Sequence, residues 1–130
     1  MAFEDIDSAT TTQIEADRAE AAGRGINGSP ADIVESFEAE LADYLALPPD
    51  VRRAFPRGDT ARLYGTALGQ ALVREGFQWQ LLIDDYGTDL VVAKDVGSAG
   101  EKYTAPLVVV DQRFEDEEPG TLTKFLGQFL

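Results

Sequence analysis

Trp79-Gln80-Leu81-Leu82-Ile83-Asp84-Asp85-Tyr86-Gly87-Thr88-Asp89-Leu90-Val91-Val92-Ala93 is the stretch that decides the fold class. Two runs rich in strand-forming residues flank a short polar segment. Asp, Tyr and a glycine free to take positive φ make that segment a turn. The pattern predicts an antiparallel hairpin over 78–94, turning at 85–88. Downstream, Gly97-Ser98-Ala99-Gly100 marks a loop, and Tyr103 to Arg113 reads as a third strand. Its Leu107-Val108-Val109-Val110 is continuously apolar, and Pro106 places an edge or bulge near its start. Glu115-Asp116-Glu117-Glu118 is an acidic loop. After Pro119-Gly120, Leu122, Phe125, Leu126, Phe129 and Leu130 recur at helical spacing.

Upstream of the hairpin the period is helical. Asp59 or Thr60 caps a helix running to about Arg74, with Leu63, Tyr64, Ala67, Leu68, Ala71 and Leu72 on one face. Gly65 and Gly69 each cost about 1 kcal/mol relative to Ala in a helix interior. Close approach of another backbone offsets that cost, so this helix is expected to lie tightly on the sheet. Before it, Ser29 is an N-cap and Pro30 a first helical residue. Ile33, Phe37, Leu41, Tyr44 and Leu45 then form an apolar stripe that Pro48-Pro49 ends. Asp50 caps a short turn through Phe55.

Residues 1–28 read as a leader, weakly helical or flexible, with Ile14 its one large apolar residue in the helical stretch. Such a segment is expected to add little to stability. Residues 29–130 then form a single α+β domain. The element order α-α-α-β-β-β-α predicts a three-stranded or slightly larger antiparallel meander with helices packed on one face. No strand-helix-strand alternation supports a doubly wound α/β sheet.

The 130 residues contain no His and no Cys. This excludes Ser-His-Asp and Cys-His nucleophilic catalysis, thiol redox chemistry and disulfides. The Gly23–Gly28 stretch lacks the GK[ST] ending of a phosphate-binding loop. The net charge is −13, so neither nucleic acid nor an anionic membrane is an expected partner. The charge is uneven. Residues 1–47 carry 11 acids against 2 bases, whereas residues 48–76 carry 5 arginines against 3 acids. A chain without cysteine or an apolar N-terminal stretch is expected in the cytoplasm.

Several pieces occur in an order that resembles a known bacterial family, the domain of unknown function DUF3806. They are Leu68-Gly69-x-x-Leu72, Phe77-Gln78-Trp79, Asp85-Tyr86-Gly87-Thr88-Asp89-Leu90, Pro106-Leu107-Val108 and Arg113-Phe114-Glu115 before a Glu-Pro turn and a helix. The resemblance covers about residues 60–130. It implies a fold but no activity, because that family has none assigned.

Candidate chemistry is sparse. Asp84, Asp85 and Asp89 have the density of a hard-cation site, but the EF-hand spacing is absent and turn chemistry accounts for them. No metal or cofactor is therefore expected, and no catalytic residue is assigned. Trp79 reads as core. Arg52, Arg53 and Arg57 read as partners of the chain's own acids rather than as an anion grip. The expected partner-binding surface consists of Tyr86 and Asp85 at the turn with Glu115, Asp116, Glu117 and Glu118. The leading expectation is a non-enzymatic module that binds a protein with a basic surface, in one version an immunity- or antitoxin-like protein; self-association is the other option. The alternative is a small-molecule sensor or carboxylate-dependent enzyme with a pocket between helices and sheet. A deep pocket lined by Asp and Arg would favour that alternative.

Overall fold

The computed structural model describes all 130 residues. The chain runs β1 (Ala2–Asp5), α1 (Ser8–Gly23), α2 (Pro30–Ala46), α3 (Pro49–Arg52), α4 (Arg57–Arg74), β2 (Gln78–Asp84), β3 (Gly87–Lys94), β4 (Lys102–Thr104), α5 (Pro106–Gln112), a 3-10 turn (Arg113–Glu115) and α6 (Thr121–Phe129). The fold is α+β, with one four-stranded antiparallel sheet in the order β1-β2-β3-β4.

The hairpin forms as its sequence dictates. Asp84 pairs with Gly87 and Gln78 with Ala93, so the loop is the two residues Asp85 and Tyr86. Gly87, at φ +133, supplies the positive backbone angle that closes it. Side-chain alternation gives the sheet two unlike faces. Trp79, Leu90 and Val92 point to the helix-covered face and join the main core. Leu82, Val91 and Ala93 point to the other face. They are buried too, but beneath the edge-to-face pair of Phe3 and Tyr103, whose rings are 5.4 Å apart.

α2 carries the start chemistry expected of it. Ser29 and Asp32 form a reciprocal capping box, with Pro30 in the first turn. Its stripe of Ile33, Phe37 and Leu41 is buried. α4 is the central helix, flanked by α1 and α5 and facing β2 and β3. A Cβ on Gly69 would lie 2.2 Å from Trp79 Cη2, which is the expected close fit to the sheet. A Cβ on Gly65 would instead meet the backbone of Leu107.

That contact arises where the structure departs from the expected third strand. The third strand ends at Thr104, and Pro106–Gln112 is helical. Proline at the first position fixes φ and lacks only an N–H that the helix would leave unpaired. The preceding residue, Ala105, is extended. A continuous apolar run has no period of its own. Here Gly65 offers a helix-sized groove, and the run coils into it.

The leader differs as well. Ala2–Asp5 adds a strand to the sheet, with Phe3 opposite Leu82. Ser8–Gly23 is a full helix, capped by Asp7, whose side chain accepts from the Thr10 N–H at 2.7 Å. Ile14 and Ala21 are buried against the core. The small size of Ala21 lets α1 approach closely, so a helix with one large apolar residue still docks.

Candidate functional site

The hairpin tip presents Tyr86 almost entirely to solvent, at 99% exposure. Its N–H donates to Asp84 Oδ1 at 2.8 Å, which uses Asp84 as a turn residue. Asp85 and Asp89 are exposed beside it. No group of three or more acids here or elsewhere is arranged to hold a metal ion.

The acidic loop divides into paired and free carboxylates. Glu115 accepts from Arg57 Nη1 at 2.6 Å, and Asp116 lies 3.4 Å from Arg113. Glu117 and Glu118 are exposed and belong to no ion pair. Phe114 anchors the loop, buried between the rings of Phe37, Tyr44 and Phe55. No hydrogen bond or ion pair joins this loop to the hairpin tip.

Four of the five arginines of the middle segment have partners within the fold, whereas Arg53 is exposed and in no ion pair, against the expectation. Arg57 also holds Asp111, at 3.1 Å, and lies over the Phe114 ring. Its guanidinium pKa is raised, chiefly by the Glu115 hydrogen bond and then by that to Asp111. Arg52 donates to the carbonyls of Leu45 and Leu47 at the end of α2. Trp79 is buried, and its indole N–H donates to Gln70 Oε1 at 3.3 Å.

The same holds for most bases. Arg18, Arg24, Arg57, Arg62 and Arg113 are in ion pairs. Arg52, Arg74, Lys94 and Lys102 donate to backbone carbonyls. By contrast, only seven of the 24 acids are ion-paired. Seventeen acids thus have no basic partner, and seven of these accept hydrogen bonds within the fold instead.

A concave feature lies where α1, α4, α5 and β3 meet. A groove of about 420 Å³ has Ile14, Leu90 and Leu107 as its apolar wall and Asp7, Asp17 and Arg62 as its polar side. Beyond Arg62 and Leu107 it continues into a shallower depression of about 370 Å³, bounded by Ala61, Val108 and Asp111. Val108 is 47% exposed. The Arg62–Asp17 ion pair closes one end. Asp17 is buried and also accepts from Gln13 Nε2 at 2.9 Å. Glu20 and Asp59 reach the same guanidinium, at 3.7 and 3.4 Å. Burial works against the Arg62 charge, but the Asp17 charge and hydrogen bond outweigh it and raise the pKa. At the mouth, the Thr10 backbone and side chain hold the Asp7 carboxyl below its usual range.

In the sequence, Ile14, Leu90 and Leu107 stand out only as helix or strand residues, not as parts of a shared site. Four separate elements build the groove, so no local pattern announces it. The one available signal was Gly65, which pointed to a close backbone neighbour. A further polar cluster lies on the α2 side of α4. There the Tyr64 hydroxyl donates to Glu40 Oε2 at 2.8 Å and sits 3.1 Å from Ser36 Oγ. Burial, together with Glu40 and despite Ser36, pushes the Tyr64 pKa up to about 12.

The family model described as "Domain of unknown function (DUF3806)" matches residues 52–125. The match takes in α4, the hairpin, β4 and α5, and leaves β1, α1 and α2 outside. No curated protein and no solved structure matches the chain.

Proposed function

Because the chain belongs to the DUF3806 family, whose description assigns no activity, we propose its role from its surface: it is a non-enzymatic module that binds a protein partner with a basic face. The carrying observation is the asymmetry of charge use. Nine of the eleven bases have a partner within the chain, an acid or a backbone carbonyl, while seventeen of the 24 carboxylates have no basic partner. Such a field steers a positive partner and raises its association rate. Tyr86 at the hairpin tip supplies the kind of aromatic side chain that anchors protein contacts. An immunity- or antitoxin-like role, masking a basic surface, is the concrete version of this reading.

The test is kinetic. A partner retained from lysate of the source cells at low salt is purified, and its on-rate is measured across ionic strength. The on-rate falls steeply with salt, and falls again when Asp85, Glu117 and Glu118 are changed together to Asn and Gln. Glu115 and Asp116 are left intact, since they pair with Arg57 and Arg113. An on-rate indifferent to salt and to these substitutions removes the proposal. A second reading, a small-molecule sensor, is favoured by the groove, whose volume falls in the range of small-ligand sites. A rise in Tm with small amphipathic amines would support it.

A further inference from the structure

We propose that the groove spanning Arg62 and Leu107 receives a basic amphipathic helical segment of the partner; this rests on the reading that the chain binds a basic protein. The floor is apolar and unfilled on both sides of Leu107. Ile14 and Leu90 line one depression, and Ala61 and Val108 the other. Two adjoining apolar depressions suit two side chains from one face of a helix, which repeat every three or four residues about 5–6 Å apart.

The rim selects charge. Asp7, Asp17 and Asp111 line the two depressions, and Glu20, Asp59 and Glu115 stand behind them on the same two arginines. Five carboxylates thus surround two guanidiniums, with Asp7 unpaired at the mouth, so the rim stays net negative. Arg62 is not free for an anionic ligand, because three carboxylates already hold it. A segment carrying Lys or Arg beside its apolar face meets both features. A second copy of this chain does not, since each copy carries −13.

The probe is a Leu/Lys peptide of about 18 residues, roughly five helical turns, with all its Leu on one face. Its control is a scrambled peptide of equal composition with no apolar face. Each is titrated at low salt into the full chain, with backbone amide shifts recorded. The amphipathic peptide binds at least about tenfold tighter than the scrambled one, as burial of a single Leu requires. It shifts the amides of Ile14, Thr66, Leu90 and Leu107. Val108→Gln, at a half-exposed and uncharged position, removes that preference and leaves the fold intact by circular dichroism. If both peptides bind equally and Val108→Gln changes nothing, the groove proposal fails and the basic-partner reading stands. If neither peptide binds, the basic-partner reading fails with it. Equal groove shifts with a short alkylamine would assign the site to a small amphipathic cation and overturn the peptide.

Discussion

A Cβ built on Gly65 would stand 2.5 Å from the Cα of Leu107, inside the distance any real contact tolerates. The glycine is what seats α5 against α4 and sets the height of the groove floor. Gly65→Ala therefore destabilises by about 1–3 kcal/mol through overpacking, despite the roughly 1 kcal/mol gained in helix propensity. Gly127, in α6, has nothing within 4 Å of its Cβ position. Gly127→Ala accordingly stabilises by about 0.5–1 kcal/mol. Urea unfolding of the two variants gives opposite signs; a Gly65→Ala protein as stable as the wild type would contradict the packing.

Deleting residues 1–28 lowers Tm by on the order of 10 °C. This reverses the expectation for a loose leader. The deletion removes a paired strand, the buried Ile14 and Ala21, and the buried partner of Arg62. Calorimetry of the full and shortened chains checks it, and an unchanged Tm would mean that α1 adds nothing to the fold.

Asp17→Asn keeps the shape of the side chain and removes its charge. The expected loss is about 1–2 kcal/mol, less than the roughly 3–5 of a fully buried pair, because Arg62 is partly exposed. Glu15→Gln, in an exposed pair with Arg18, changes stability by less than about 0.5 kcal/mol. The Asp17 effect persists in high salt, since burial limits screening. Denaturant melts at two ionic strengths separate the two substitutions.

The raised Tyr64 pKa carries a definite sign. Folding favours the protonated phenol, so its contribution is complete below the unfolded value of 10.0 and is lost as pH rises towards about 12. Stability of the wild type falls across that window more steeply than that of Tyr64→Phe. The difference in phenolate absorbance between the two proteins reports the Tyr64 midpoint directly.

The hairpin, the α2 stripe and the buried face of α4 were legible because each rests on a local period with its own start or stop chemistry. The 103–113 segment was not. Leu107-Val108-Val109-Val110 carries strand propensity, and the helix-starting role of Pro106 is equally compatible with a bulge. Gly65, forty-two residues away, decides between them. β1 was missed because Ala2-Phe3-Glu4-Asp5 gains its pairing only from the distant edge of β2. The docking of α1 depends on Asp17 meeting Arg62 across 45 residues. The groove inherits both obstacles, since it exists only where α1 and α5 settle against α4.

The pairing of Ala2–Asp5 with Gln80–Ile83 also governs how the chain behaves when crowded with copies of itself. Leu81-Leu82-Ile83 is an uncharged, strand-prone run, the kind of bare edge from which fibrils grow. β1 covers it and presents Glu4 and Asp5 along the new boundary. At the opposite boundary, β4 is three residues long and opens with Lys102. Both margins are thereby blunted against cross-β stacking. A chain lacking its first five residues would expose the β2 edge and precipitate as aggregate at concentrations where the intact chain stays dispersed.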